Sequence, residues 1–212
     1  MSRNPHAVTA DFEQAIGEYT GAPYVVAVNS CTMALLLAMK WHLLEHHKNV
    51  MQHWISYDNS VSIPKRTYVS VPMSIKHAGG RPVFRDEDWL GEYQLAPWPI
   101  WDSARRFTGG MYKRGQMQCV SFHASKILGL EQGGAILHDD PNADEWLRRA
   151  RFDGRKQGIQ PKDDTFDMIG WHCYLNPSTA AQGLLKLHSL PRDNADLPND
   201  PYPDLSTMEI FK

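Results

Sequence analysis

Apolar residues along this chain fall into two kinds of run, and the two alternate. From Thr9 to Tyr19 the apolar positions Phe12, Ile16 and Tyr19 share one side of a helix; Thr9 stands at its start as a cap, Asp11 and Glu13 fall in its first turn, and Gly21 ends it. Tyr24 to Val28 is short and almost wholly apolar, the pattern of a strand covered on both faces. After the polar turn Asn29-Ser30, apolar residues recur at Met33, Leu36, Leu37, Trp41 and Leu44, which predicts a second helix ending near the polar pair His46-His47. Further strands are predicted at Ser62-Ile63, Arg81 to Phe84, Trp98 to Trp101, Gln118 to Phe122 and Gly134 to Leu137, with helices at Ser70 to His77, Asp144 to Phe152 and Ser178 to Leu187. This alternation predicts an α/β fold: a mostly parallel sheet with helices on both faces. Residues 1–190 are expected to form the folded domain. The stretch from Pro191 to Lys212, with four prolines and four aspartates among them, is expected to be an extended or partner-docked tail with no core element.

Composition narrows the function classes. The chain has 212 residues, which at roughly 150 residues per domain is one domain, or one with a modest appendage. Its 22 Lys and Arg nearly balance 24 Asp and Glu, so nothing marks it as a binder of nucleic acid or of an anionic membrane. The longest uncharged stretch, Gly21 to Met39, carries Pro23, Asn29, Ser30 and Thr32 near its middle and is not a membrane span. No basic patch leads into an apolar run at the N-terminus, and Cys31, Cys119 and Cys173 are odd in number and far apart; a cytoplasmic, reducing setting is expected. His42 and His46 stand four apart on a helix, but no carboxylate at a useful spacing completes a site, and no metal is expected.

Three places could carry chemistry. The turn Asn29-Ser30-Cys31-Thr32 leaves a buried strand and opens a helix, where free backbone N–H groups and the helix dipole suit a phosphate; a plain helix cap would use the same residues. Asp102 closes the run Trp98 to Trp101, at the strand edge where open α/β sheets hold ligands, and its carboxylate would seek a cation, either a ring nitrogen of a cofactor or the nearby Arg105 or Arg106. Lys126 follows a strand among small and apolar neighbours, where desolvation would lower its pKa and make it a nucleophile; a solvated surface lysine is the alternative.

Taken in order, Ser30-Cys31-Thr32, Thr67-Tyr68, Asp102, Ser121 to Lys126 and Gly133-Gly134 resemble the DegT/DnrJ/StrS family of sugar aminotransferases, which depend on pyridoxal 5'-phosphate (PLP) and have the type I aminotransferase fold. The most specific part of the resemblance is Ser121-Phe122-His123-Ala124-Ser125-Lys126 followed by Glu131-Gln132-Gly133-Gly134-Ala135. It implies that Lys126 forms the Schiff base with PLP and shuttles protons, and that Asp102 pairs with the ring nitrogen. It further implies that Tyr68 stacks on the ring, that Ser30, Cys31, Thr32 and Ser121 hold the phosphate, that Arg105 stands beside the ring oxygen, and that Asn176 reaches the phosphate of a neighbouring subunit in a homodimer with shared active sites.

The sequence also departs from the family. Between Asp86 and Pro97 only a short segment stands where a further strand and helix are usual, and after Leu187 only the tail follows where relatives continue into a small domain. Cys31 replaces a usual Gly and Asp153 a usual His. The implied activity is transfer of an amino group from an amino-acid donor, glutamate foremost, to a keto group on a nucleotide-linked sugar. Two other readings stay open: a PLP enzyme of another reaction type, such as a dehydratase, racemase or decarboxylase, and a non-catalytic PLP-binding or regulatory module.

Overall fold

Successive residues of the first strand, β1 (Tyr24–Val28), point to opposite faces of a sheet. Val25 and Ala27 pack into one apolar cluster with Phe12, Ile16 and Leu187, while Val26 and Val28 pack into another with Leu37, Ile75 and Leu147. This computed structural model describes residues 4, 6–53 and 58–212, without the side chains of 45–53. The two clusters divide the helices between the faces: α1 (Ala7–Thr20) and α5 (Pro177–Ser189) cover one, and α2 (Cys31–His53), α3 (Ser70–Ala78) and α4 (Pro141–Ala150) cover the other. The expected α/β layering, with helices on both faces, is what the chain adopts.

The strand directions correct the expectation of a mostly parallel sheet. With β4 (Tyr93–Gln94), β5 (Ile100–Asp102), β6 (Met117–Ser121) and β7 (Gly134–His138), the main sheet runs in the order β1-β7-β6-β5-β4. Only β5 and β6 are parallel; β1 with β7, β6 with β7 and β4 with β5 are antiparallel. A parallel neighbour needs a crossover of a dozen or more residues, usually a helix. Between Phe122 and Gly133 there is no helix, so β7 turns back along β6. The remaining strands, β2 (Ser60–Pro64) and β3 (Arg81–Arg85), form a parallel pair joined through α3. This pair meets the main sheet where Ser62 and Ala96 exchange both backbone hydrogen bonds, at 2.7 and 3.0 Å. The short segment after Asp86 therefore spans the gap between β2 and β5.

Helix ends also differ. His6, not Thr9, precedes α1; Thr9 is buried inside it, and no acidic residue lies in its first turn. The second helix continues past His46-His47 to His53, because polar residues alone do not stop a helix and neither Gly nor Pro intervenes. Asp140 caps α4 with Pro141 in its first turn, one of the stronger start signals. The tail contributes to the core after all. Leu205 is fully buried and its N–H donates to Lys65 O at 2.9 Å, and Phe211 packs edge-on against Phe84. Among the described residues no helix is long and apolar enough to cross a membrane, and no group of three or more His, Cys, Asp or Glu could hold a metal ion. The side chain of His46 lies outside the described residues.

Candidate active site

The turn after β1, the ends of β5 and β6 and the starts of α2 and α3 surround a cavity of about 570 Å³. Ser30 Oγ accepts from Met33 N (3.2 Å), so Ser30 caps α2 and lines the cavity at once. The first-turn N–H groups of Cys31 and Thr32 have no acceptor within the helix and face an anion-favouring dipole end. This turn lies hard against β7. A Cβ on Gly134 would sit 2.6 Å from Cys31 N and 2.7 Å from Ser30 C, so only glycine lets the backbones approach this closely. Thr32 Oγ1 shares a hydrogen bond with Ser70 Oγ (2.8 Å), and Ser121, nearly buried at the end of β6, completes a hydroxyl-rich wall.

Asp102 ends β5 inside the same cavity and is only 5% exposed. Neither Arg105 nor Arg106 pairs with it; Arg106 goes to Glu92 and Asp196, and Arg105 to the tail. Instead Tyr93 Oη donates to Asp102 Oδ2 (2.7 Å) and Ala104 N to Oδ1 (3.0 Å). Burial pushes the Asp102 carboxyl above its usual range, against the pull of those two hydrogen bonds and of the Lys126 and Arg105 charges. Cys31 Sγ lies 3.5 Å from Cys119 O; burial first, and the Asp102 charge second, push this thiol well up, so it is held protonated.

Lys126 sits in the loop after β6, its N–H bonded to His123 O (2.8 Å). Its side chain is half-buried in the cavity, and no hydrogen bond or ion pair engages Nζ among the described residues. Burial lowers its amine below the usual lysine range; Arg105 adds to this, and Asp102 and Asp200 oppose it. Tyr68 stands at the cavity mouth, 57% exposed, with its ring edge toward Tyr202. Arg105 lines the cavity too, but its terminal nitrogens turn to the tail, to Pro198 O, Asp200 and Tyr202 Oη. Its buried Nε has no hydrogen-bond partner among the described residues.

Ser30, Cys31, Thr32, Tyr68, Asp102, Arg105, Ser121 and Lys126 thus line one cavity. Asn176 does not; it caps α5, its Oδ1 accepting from Ser178 N (2.9 Å) and Ser178 Oγ (2.8 Å), with its side chain exposed. Sequence reasoning missed Tyr93, whose hydroxyl joins Thr67 Oγ1 (2.6 Å) to Asp102, and missed Asp200 and Tyr202 as walls of the cavity. A lone tyrosine between prolines and aspartates was the one sequence signal for the latter.

Comparison with known proteins bears on this site. The model of the DegT/DnrJ/EryC1/StrS aminotransferase family matches residues 5–97 and 106–196, on either side of Asp102. The spore coat polysaccharide biosynthesis protein SpsC of Bacillus subtilis is 36% identical over 88 residues, 42% of this chain and 19% of SpsC. GDP-perosamine synthase of Caulobacter vibrioides is 24% identical over 220 aligned positions, 84% of this chain and 55% of that protein. Among solved structures, AtS13 from Actinomadura melliaura superposes with a TM-score of 0.72 at 20% identity, covering 86% of this chain and 60% of AtS13. The chain therefore spans little more than half the length of such relatives, or less.

Proposed function

Since the chain belongs to the DegT/DnrJ/EryC1/StrS aminotransferase family, we propose that it is a PLP-dependent aminotransferase that moves an amino group from an amino-acid donor to a keto group on a nucleotide-linked sugar. The observation that carries this reading is the meeting, in one cavity, of a buried carboxylate without a cation, an amine without a partner and a helix start cleared by a glycine. These three features fit PLP at its ring nitrogen, its aldehyde and its phosphate respectively. When bound, the cofactor supplies a carbon that carries the amino group and a ring that draws electrons from the reacting carbon.

The chain's own residues do the rest. The Cys31 and Thr32 N–H groups, with the Ser30, Thr32 and Ser121 hydroxyls, bind and orient the phosphate. Asp102, whose ionised form the Tyr93 and Ala104 hydrogen bonds favour against its burial, would keep a proton on the ring nitrogen. Lys126 Nζ, with its lowered proton affinity, is the nucleophile and then the base that moves the substrate proton. Tyr68 bounds the ring at the mouth. The sugar acceptor is supported by the relatives whose names concern perosamine and coat polysaccharide. Incubation with PLP, borohydride reduction and peptide mapping test this reading: the label is expected on Lys126 and is lost in Lys126→Ala. Label on another lysine, or on none, overturns it.

A homodimer with shared sites accompanies this reading. It is supported by the exposed Asn176 amide, which among the described residues uses only its oxygen. If Asn176 serves the partner's cofactor, mixing Lys126→Ala with Asn176→Ala under verified subunit exchange leaves one intact site per mixed dimer, and activity rises above either parent. No rise ends the shared-site proposal.

A further inference from the structure

We propose that Arg105 is the seat of a substrate carboxylate, that of the amino donor, and that Asp200 of the chain's own tail occupies this seat until the donor displaces it. The choice of the donor rests on the aminotransferase reading above. Arg105 and Asp200 both line the cavity, but they are unequal partners. The Arg105 side chain is 6% exposed and that of Asp200 is 64% exposed, so a fixed, buried cation is met by a carboxylate that solvent reaches freely. Such a pair is weak for its occupant, because water screens it.

The contact is also incomplete. Asp200 uses one oxygen, Oδ2, on Nη2 alone, while Tyr202 Oη shares both partners at 3.1 Å, and Nε stays buried with no acceptor. Guanidinium and carboxylate fit best with two parallel hydrogen bonds, and a free carboxylate can take Nε and Nη2 together. It would relieve the cost of the orphaned donor, which Asp200 leaves in place. The tail can yield locally without leaving the domain. Asp196 is held by Arg106 on one side of Asp200, and on the other Leu205 is buried and Asp204 pairs with Lys65. Tethering gives Asp200 a high effective concentration, which makes it a competitor that the donor must outbid. The exchange puts one carboxylate in place of another, so Arg105 stays neutralised beside Lys126.

Glutarate, a dicarboxylate without an amine to transfer, is the probe; glutaramide and inorganic phosphate are its controls. Binding is followed by calorimetry on the full chain, with and without PLP. Wild type is expected to bind glutarate and not glutaramide. Asp200→Asn, with the competitor removed, should bind glutarate about tenfold more tightly, the gain expected if the seat is open about a tenth of the time. Asp200→Glu keeps a carboxylate and should stay near wild type, and Arg105→Gln should lose the binding. In wild type, glutarate should also speed hydrogen exchange at the Tyr202 amide, which donates to Asp200 O; this reading needs no variant. Unchanged or weaker glutarate binding in Asp200→Asn overturns the proposal, as does unchanged exchange at Tyr202. So does Arg105-dependent binding of phosphate in preference to glutarate. Failure of the Lys126 label would overturn the aminotransferase reading instead, since glutarate binding does not depend on that residue.

Discussion

Two carboxylates in this molecule are equally hidden, Glu13 and Asp102 each being 5% exposed, yet their surroundings are opposites. Glu13 on α1 is saturated: Arg148 Nη1 donates to it at 2.6 Å, Arg151 Nη1 donates to its other oxygen, and Ala27 N adds a third bond at 2.8 Å. Those arginines are themselves tied to Val25 O, Ala27 O and Asp144. Charge, geometry and lone pairs all close within the protein, and the result is a rivet joining α1, β1 and α4. Asp102 receives only neutral donors, Tyr93 Oη, Ala104 N and, at 4.0 Å, the Cys31 thiol, and no cation donates to it among the described residues. Burial of a carboxylate is costly unless a cation compensates it. A site that tolerates the cost without compensation is one prepared for a cation from outside, and the difference between the two residues separates architecture from chemistry in this fold.

Paired substitutions would break that contrast if it is wrong. Glu13→Gln leaves Arg151, 2% exposed, with its charge uncompensated, and should cost about 3–5 kcal/mol in urea unfolding, the range for a buried pair robbed of one partner. Asp102→Asn should change stability by about 1 kcal/mol or less, as one hydrogen bond is remade, while the amino-transfer rate falls about 10²–10³-fold. The pH dependence has a definite sign. Since the Asp102 carboxyl is raised in the folded chain, its ionised form is penalised at neutral pH, and the penalty fades as pH falls through the folded pKa and the group takes up a proton. Relative to wild type, Asp102→Asn should therefore look most stable at neutral pH and lose that advantage on acidification. Equal stability losses for the two variants would show that Asp102 is a second rivet.

The same contrast explains what could be read from the residues in order. Asp102 and Lys126 were visible because each follows an apolar run that ends at a sheet edge, so position and chemistry coincide within a few residues. The layering was visible because the apolar runs are short and the helical spacings between them regular. Strand direction was not, since hydrophobicity is blind to it; the missing helix between β6 and β7 was the clue. Tyr93 belongs to a strand of two residues, too short for any periodicity. Glu13 read as an acid of a first turn, with nothing to mark it as paired, because its cations lie 135 and 138 residues away. Asp200 was hidden in the same way, 95 residues from Arg105, in a stretch whose prolines and aspartates suggested an extended or partner-docked tail with no core element.

The smallest expected effect gives the sharpest reading of Asp102. Tyr93 is 2% exposed, and burial holds its hydroxyl well above the usual phenol range, so it remains a donor at any working pH. It gives its hydrogen bond to Asp102 Oδ2 and shares another with buried Thr67. Tyr93→Phe removes a donor that stabilises the ionised carboxylate and leaves the Thr67 hydroxyl without that partner, for a loss of about 0.5–1.5 kcal/mol in stability. Because the Tyr93 hydrogen bond lowers the Asp102 pKa, its removal must raise it. The acid limb of kcat/KM against pH, which reports ionisations of the free enzyme, should then move to higher pH, with only a modest drop on the plateau. A residue that merely fills space could cost stability without moving that limb. An acid limb unmoved in Tyr93→Phe, with the variant folded, would show that the hydroxyl serves packing and does not favour the ionised form of Asp102.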